Sequence, residues 1–190
     1  MIETDFLRAK YQQAHSYDDY KATGTDSQQR AWADFRARVT PGQVHQTLLA
    51  GFTRRMHLLV SSGMWCGDCV QQVPMLDAIA NLRPDLIGLR IVDRDEHMDL
   101  AERLMINDGL RVPVVVFLNE DFDFVSAKGD RTLSRYRAIA SRQLGASCPL
   151  PGAPVPDDEI AATLQDWVDE TERAQLICRL STKLRARHGD

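Results

Sequence analysis

A strand that passes directly into a helix is predicted in the first half of the chain. Leu58-Leu59-Val60 is a short apolar run of the kind that forms a buried strand, and Ser61-Ser62-Gly63 follows it. Apolar residues then recur at helical spacing, at Val70, Val73, Leu76 and Ile79. Cys66 and Cys69 therefore lie at the amino-terminal end of a helix. Pro74 is predicted to bend this helix, because proline lacks a backbone N–H and clashes with the preceding turn.

The segments after this helix predict an α/β fold. Residues 87–92 and 113–118 are two further apolar strands, and residues 122–129 fit a strand that returns antiparallel. Asp93 and Asp95 are predicted to cap a helix between the first two of these strands, and residues 132–143 form a closing helix. The order strand, helix, strand, helix, strand, strand, helix gives a central mixed sheet with helices on both faces.

Helices are also predicted before this unit. Thr25 and Gln28 have the spacing of a capping box ahead of Trp32 and Phe35. Thr40 is expected to cap the next helix. The residues expected to follow on that helix are Pro41 in its first position and then Val44, Leu48 and Phe52.

The last part of the chain predicts a loop and a long helix. Residues 145–156 are rich in proline and glycine, which predicts a surface connection. Asp157 or Asp158 is expected to cap the helix beyond it. Its apolar stripe comprises Ile160, Leu164, Trp167, Val168, Ala174, Ile177, Leu180 and Leu184. We expect one compact domain with a helical extension at 1–54, an α/β unit at 55–144, and a loop with the final helix at 145–190.

Charge and composition exclude several classes of function. The net charge of −4 argues against a nucleic-acid surface, which needs clustered Lys and Arg. No apolar stretch approaches the ~20 residues that span a bilayer, and the amino-terminal residues lack the pattern of a signal peptide. We therefore expect no nucleic-acid or membrane partner and a cytoplasmic location. There thiols stay reduced, so the four cysteines favour chemistry or burial over a disulfide framework.

The placement of Cys66 and Cys69 favours thiol–disulfide exchange. A helix amino terminus offers unpaired N–H groups and the positive end of the dipole, and both stabilise a thiolate. Cys66 is then the nucleophile that attacks a disulfide, and Cys69 is the resolving thiol that displaces the mixed disulfide. This chemistry needs no cofactor beyond the Cys66-Cys69 disulfide and dithiol.

Other interpretations of the cysteines stay open at this point. A CxxC pair is also half of a zinc site, but Cys148 and Cys178 are isolated and no histidine pair stands at ligand spacing. We therefore expect no metal. The remaining alternative is that Cys66 and Cys69 are an inert or redox-sensing pair in a binding protein. Cys178 is expected to be buried and unreactive.

Four motifs occur together between residues 58 and 144: Trp65-Cys66-Gly67 with Cys69, Pro74 eight residues after the first cysteine, Ile91-Val92-Asp93 ending a strand, and Val112-Pro113 opening the next. In these motifs residues 58–144, which are under half of the chain, resemble thioredoxin. The helical extensions at both ends resemble those of poorly characterised bacterial thioredoxin-like proteins.

The resemblance implies a thioredoxin fold and a substrate groove. It implies that Pro113 follows a cis peptide bond and faces the cysteines, and that the Val112 backbone pairs with an extended substrate segment. Gly67 and Trp65 are further candidates for substrate contact, although Trp65 is alternatively a core residue. The implied partners are proteins with disulfides and an upstream reductant, such as a thioredoxin reductase or a low-molecular-weight thiol.

Three positions differ from thioredoxin. Asp68 stands where thioredoxin has proline, Val60 replaces a buried aspartate that accepts the proton of the second cysteine, and Val114 replaces a threonine. Either Asp68, a bound water or another carboxylate then accepts the proton of Cys69, or the exchange is slower than in thioredoxin. We also expect Asp68 to be exposed and to raise the pKa of Cys66 by charge repulsion.

Overall fold

The computed structural model describes residues 2–144 and 156–189, and its centre is a four-stranded mixed sheet. The strands are β1 Met56–Ser62, β2 Ile87–Asp93, β3 Val114–Asn119 and β4 Phe124–Gly129. Their spatial order is β2-β1-β3-β4; β1 and β2 run parallel, and β3 is antiparallel to both β1 and β4. The predicted mixed sheet of an α/β protein is therefore confirmed.

The two central strands are buried. Every residue of β3 is buried, and in β1 only His57 is partly exposed. Helices cover both faces of the sheet, so neither face needs polar side chains, and the sequence shows apolar runs instead of alternation. The edge strand β4 is partly or fully exposed along its length.

Four helices precede the sheet in the described chain: α1 Thr4–Gln13, α2 Tyr17–Ala22, α3 Asp26–Ala37 and α4 Gln43–Ala50. The capping box of α3 is confirmed, because Gln28 N donates to Thr25 Oγ1 at 3.4 Å and Thr25 N donates to Gln28 Oε1 at 2.8 Å. Trp32 and Phe35 are buried behind it.

The predicted cap of α4 is wrong. Gly42, not Thr40, is the residue that precedes the helix, and its N–H donates to His45 Nδ1 at 3.2 Å. This start turns Val44 outward, where it is 78% exposed, while Leu49 takes the fully buried position.

Helix α5 Gly67–Ala80 connects β1 to β2. The short helix α6 Met98–Ala101, which continues into a 3₁₀ turn at Glu102–Leu104, lies between β2 and β3. Helix α5 runs through Pro74. Neither Asp93 nor Asp95 caps α6, since His97 precedes it. Asp93 Oδ1 instead accepts from Asp95 N at 2.9 Å, so these acids form the turn after β2.

The helices after the sheet are α7 Leu133–Leu144, α8 Asp157–Leu180 and α9 Thr182–His188. The single long helix predicted at the end is interrupted at Ser181, whose Oγ accepts from Leu184 N at 3.3 Å and starts α9. Pro156, not an aspartate, precedes α8. Ile177 and Leu180 are 44% and 75% exposed, so the predicted apolar stripe leaves the core before the helix ends.

Helices from both ends of the chain pack on the sheet. One face carries α2 to α5 and α8, with Trp32 and Trp167 fully buried. The other face carries α1 and α6, with Leu7 and Leu100 fully buried. The boundaries that the sequence suggests between the extensions and the α/β unit stay a prediction.

Residues 145–155 lie outside the described chain, and with them the predicted proline-rich connection and Cys148. Among the described helices, none combines the length and the apolar character that crossing a membrane requires.

Candidate active site

The two cysteines lie where β1 passes into α5. Cys66 is the residue before the helix, with φ −90° and ψ 120°. Its N–H donates to Gly63 O at 3.0 Å, and its carbonyl accepts from Val70 N at 3.1 Å, the first bond of the helix. Cys66 therefore occupies the N-cap position, where backbone N–H groups have no helical partner.

The two thiols differ in exposure. Both are free; Cys66 is partly exposed, whereas Cys69 is fully buried one turn further along α5. This exposure is what a nucleophile at Cys66 and a resolving thiol at Cys69 would require, and the two roles stay a prediction.

The environment of Cys66 stabilises its thiolate. The pKa of Cys66 is lowered to about 6, chiefly because the Cys69 thiol donates a hydrogen bond to it, while burial opposes this shift. The backbone N–H groups of Cys69 and Asp68 lower the pKa further, and the negative charge of Asp68 raises it. The expected repulsion by Asp68 is therefore present, but it is outweighed by hydrogen bonds to the thiolate.

The Val112–Pro113 segment lies against Cys66. The peptide bond between these residues is cis, and the Cys66 thiol donates to Val112 O across 3.6 Å. Gly129, at the end of β4, is close to this segment, since a Cβ there would lie 2.5 Å from Pro113 O. A side chain at position 129 would thus displace Pro113 or the strand.

Trp65 stands at the solvent edge of the site. Its side chain is 54% exposed, and the Arg94 guanidinium lies 4.6 Å from the ring centroid. Arg94 also donates to Leu110 O at 3.0 Å, which links the turn after β2 to the loop before Pro113. Trp65 is therefore not a core residue. Around Gly67 there is open space, since a Cβ would meet nothing within 4 Å.

Asp68 is neither free nor exposed, contrary to expectation. Its side chain is only 14% exposed, and it pairs with Arg131 at 2.6 Å and with Arg135 at 3.0 Å. Arg135 also binds Glu159 of α8 at 2.6 Å, and Arg142 binds the same carboxylate. The CxxC turn is thus connected by ion pairs to α7 and α8.

Sequence reasoning missed these arginines. No local pattern indicates that Arg131 and Arg135 face one direction, because Arg131 precedes the helix that contains Arg135. Nothing near them in the sequence indicates Asp68 as the partner, since 63 and 67 residues separate the groups.

Cys178 is far from the dithiol pair. It is buried, and burial raises its pKa to about 11, with Glu120 and Arg54 as its charged neighbours. Arg54 precedes β1, whereas Cys66 follows that strand. The strand rises ~3.3 Å per residue, so about 20 Å separates the two ends. Within residues 2–144 and 156–189, no three His, Cys, Asp or Glu side chains come close enough to hold a metal ion.

A strand, a CxxC turn at a helix amino terminus and a facing X-Pro segment define a dithiol site on a thioredoxin-type fold. A family profile for thioredoxin matches residues 14–132, more than half of the chain. The chain therefore belongs to the thioredoxin family. The match begins ahead of α2, so it includes helices that the sequence resemblance, starting at residue 58, does not reach.

Solved structures agree with this fold. A protein of unknown function from Pseudomonas aeruginosa is 24% identical, with 87% of this chain and 96% of that chain covered and a TM-score of 0.68. An HIV epitope-scaffold is also 24% identical, with 92% and 98% covered and a TM-score of 0.63. At this identity the likeness concerns the fold alone. Among curated proteins, none matches this chain.

Proposed function

We propose that this protein is a thiol–disulfide oxidoreductase that reduces protein disulfides through Cys66 and Cys69. The observation that carries the proposal is the pairing of a partly exposed cysteine at a helix amino terminus with a buried cysteine one turn behind it. A stabilised thiolate in front and a protected thiol behind are what two-step exchange requires.

The reaction moves two electrons from the dithiol to the substrate. The Cys66 thiolate attacks one sulfur of a substrate disulfide, and the other sulfur leaves as a thiolate that takes up a proton. Cys69 then loses its proton and attacks Cys66 Sγ in the mixed disulfide. The second substrate thiol is released, and Cys66 and Cys69 are left joined as a disulfide.

The substrate is held by residues around Cys66. In this proposal the backbone of Val112 and Pro113 pairs with an extended segment, Trp65 contacts it from the exposed side, and the open space at Gly67 admits its chain. Asp68 acts on the reaction through its charge near Cys66 and through its arginine partners.

The reaction needs no cofactor besides the dithiol, and we place it in the cytoplasm. An upstream reductant returns the disulfide to the dithiol, and the candidates are a thioredoxin reductase or a low-molecular-weight thiol. The family resemblance supports reduction, rather than formation, of substrate disulfides, and the proposed cytoplasmic location is consistent with that direction.

Insulin reduction tests the proposal. With dithiothreitol as electron source, the wild type should accelerate insulin precipitation, and Cys66→Ser should not. Cys178→Ser is the matched control, because it removes a buried thiol remote from the pair and should keep full activity. Cys69→Ser should accumulate mixed disulfides with substrate proteins. A wild type without turnover would overturn the proposal and favour the alternative, an adaptor or redox sensor.

A further inference from the structure

The second half of the proposed reaction requires a proton to leave the protein interior. Cys69 is fully buried, and burial raises the pKa of its thiol well above the ordinary range. Asp68 is the acid next to it in sequence, but both Asp68 oxygens already accept hydrogen bonds, Oδ1 from Arg135 and Oδ2 from Arg131. The acceptor for the Cys69 proton must therefore be sought elsewhere.

The hydroxyl of Ser62 lies beside Cys69. Ser62 is the last residue of β1 and is fully buried. Its Oγ has no hydrogen-bond partner in the described chain. Ser62 is paired with Asp93 in the parallel register of β1 and β2, so its side chain lies on the face of the sheet where the Tyr20 hydroxyl binds Asp93. From this position the Ser62 hydroxyl lowers the pKa of the Cys69 thiol and of the Tyr20 hydroxyl. Buried polar groups normally have a hydrogen-bond partner, so a buried hydroxyl without one destabilises the fold. Its position between two proton-bearing groups suggests a role in proton transfer.

Tyr20 connects this hydroxyl to a carboxylate at the surface. Tyr20 is 1% exposed, and its hydroxyl donates to Asp93 Oδ2 at 3.1 Å. Asp93 ends β2 directly opposite Ser62 in the sheet register, and it is partly exposed. Burial is the main cause that raises the pKa of Tyr20, and the charge of Asp93 raises it further. The phenol therefore gives up its proton only if it receives another proton at the same time.

We propose that Ser62, Tyr20 and Asp93 form a proton relay that carries the Cys69 proton to the surface. The Cys69 S–H proton passes to Ser62 Oγ, the Ser62 proton to the Tyr20 oxygen, and the Tyr20 proton to Asp93 Oδ2. The sum is one Cys69 thiolate and one neutral Asp93 carboxyl, which then exchanges its proton with water. This inference rests on the proposed function, because the thiolate so formed attacks the mixed disulfide at Cys66.

The relay gives the amino-terminal extension a role in the site. Ser62 and Asp93 belong to the sheet, but Tyr20 lies on α2, within the helices that precede it. The titratable groups that face Tyr20 from neighbouring elements are Asp93 on β2, Cys69 on α5 and His15 before α2, whose ring centroid is 6.4 Å from that of Tyr20. His15 is exposed and makes no hydrogen bond to the phenol, so the relay runs through Asp93.

Tyr17 supplies a matched control for Tyr20. It lies on the same helix, is also buried, and also packs on Trp32, with ring centroids 5.8 Å apart against 5.7 Å for Tyr20. The Tyr17 hydroxyl, however, has no hydrogen-bond partner in the described chain. Tyr17→Phe and Tyr20→Phe therefore make the same chemical change, and only the second removes a member of the relay.

The experiment separates the two steps with Ellman's reagent, in a full-length Cys148→Ser background. The first thionitrobenzoate released reports attack by Cys66, and the second reports attack by Cys69 on the mixed disulfide. Tyr20→Phe should slow the second release about tenfold or more at pH 7 and move its pH midpoint upward, with the first release unchanged. Asp93→Asn should act in the same direction, and Tyr17→Phe should match the parent protein in both steps.

The possible results distinguish this relay from the function it serves. If the parent protein releases no second thionitrobenzoate, the proposed two-step exchange fails and the relay with it. If the parent releases both but Tyr20→Phe has an unchanged second rate and pH midpoint, the relay alone is overturned. Equal losses in both steps for Tyr20→Phe and Tyr17→Phe would also overturn it, in favour of a structural role. If Tyr20→Phe does not fold, Asp93→Asn is the test. An upward shift in the pH midpoint of its second release supports the relay, and an unchanged midpoint overturns it.

Discussion

Arg135 Nε lies 3.0 Å from Asp68 Oδ1, and this ion pair joins the active-site turn to α7. The same guanidinium binds Glu159 on α8 at 2.6 Å, so one side chain connects three helices. The side chains of Arg135 and Glu159 are 9% and 6% exposed. Breaking a buried ion pair by removing one partner is strongly destabilising, because a charge is left without compensation.

Arg135→Met should therefore destabilise the fold. We expect a loss of about 2–3 kcal/mol in the free energy of unfolding, which is below the ~3–5 kcal/mol of an isolated buried pair because Arg131 and Arg142 still neutralise the two carboxylates. Urea denaturation of the reduced protein measures it. Arg173→Met is the control, since Arg173 is 72% exposed in its pair with Glu170 and should cost less than about 0.5 kcal/mol. Equal costs for the two variants would contradict a stabilising role of the Arg135 network.

Asp68→Asn should make the dithiol a weaker reductant. The Asp68 charge raises the pKa of Cys66, so removing it lowers that pKa and stabilises the reduced form. A change of about half a pKa unit corresponds to about 15 mV toward less negative potential, measured in a glutathione redox titration. Asp77→Asn is the control: it lies nine residues further along α5 and is also paired with an arginine, Arg36. An unchanged or more negative potential in Asp68→Asn would refute an effect of its charge on Cys66.

The wild-type potential should lie near that of thioredoxin but above it. Among thiol oxidoreductases, a nucleophile pKa of about 7 accompanies a potential of about −270 mV, and one of about 3.5 accompanies about −120 mV. The pKa of Cys66, at about 6, lies between these two values, so the potential should be less negative than about −270 mV and well below about −120 mV. A measured value below about −270 mV would mean that the thiolate is less stabilised than these contacts indicate.

Cys66 should be the fast-reacting thiol, with a pH profile set by its pKa. The thiolate reacts with iodoacetamide, and a pKa of about 6 predicts a rate that falls about tenfold between pH 7 and pH 5. An ordinary thiol would still gain rate up to pH 8 and beyond. Mass spectrometry of the separate cysteine peptides gives the rates, and Cys69 and Cys178 serve as buried internal controls. Equal labelling of Cys66 and Cys69 would contradict the assignment of the nucleophile.

Trp65→Ala should weaken recognition of protein substrates and spare the chemistry. An exposed aromatic side chain beside the nucleophile offers contact area to a large substrate, and its loss should cost about 1 kcal/mol, or about fivefold in kcat/KM for insulin. The rate with Ellman's reagent, which is too small to need this contact, should stay the same. Because the side chain is 54% exposed, the free energy of unfolding should change by less than about 1 kcal/mol. An equal loss with both substrates would assign Trp65 to the chemistry of Cys66.

Local patterns in the sequence predict the central part of this protein. The apolar run before Cys66 and the helical spacing after Cys69 place the pair at a strand-to-helix junction, because strand and helix periodicity are properties of neighbouring residues. The same reasoning gives the order of the strands along the chain and the capping box at Thr25. The same reasoning wrongly predicts Thr40 as the cap of α4 and Asp93 as a cap of α6. At both places several residues are able to cap the helix, and the packing of the helix determines which of them does.

The surroundings of the two thiols follow from the tertiary structure alone. Asp68 meets arginines more than sixty residues away, and Tyr20 reaches Asp93 from a helix that precedes the sheet. The charged and hydroxyl residues involved are common residue types, and their positions in the sequence follow neither helical nor strand periodicity. Periodicity predicts which face of an element is buried, whereas the distance between two polar groups on different elements depends on how those elements pack around the sheet.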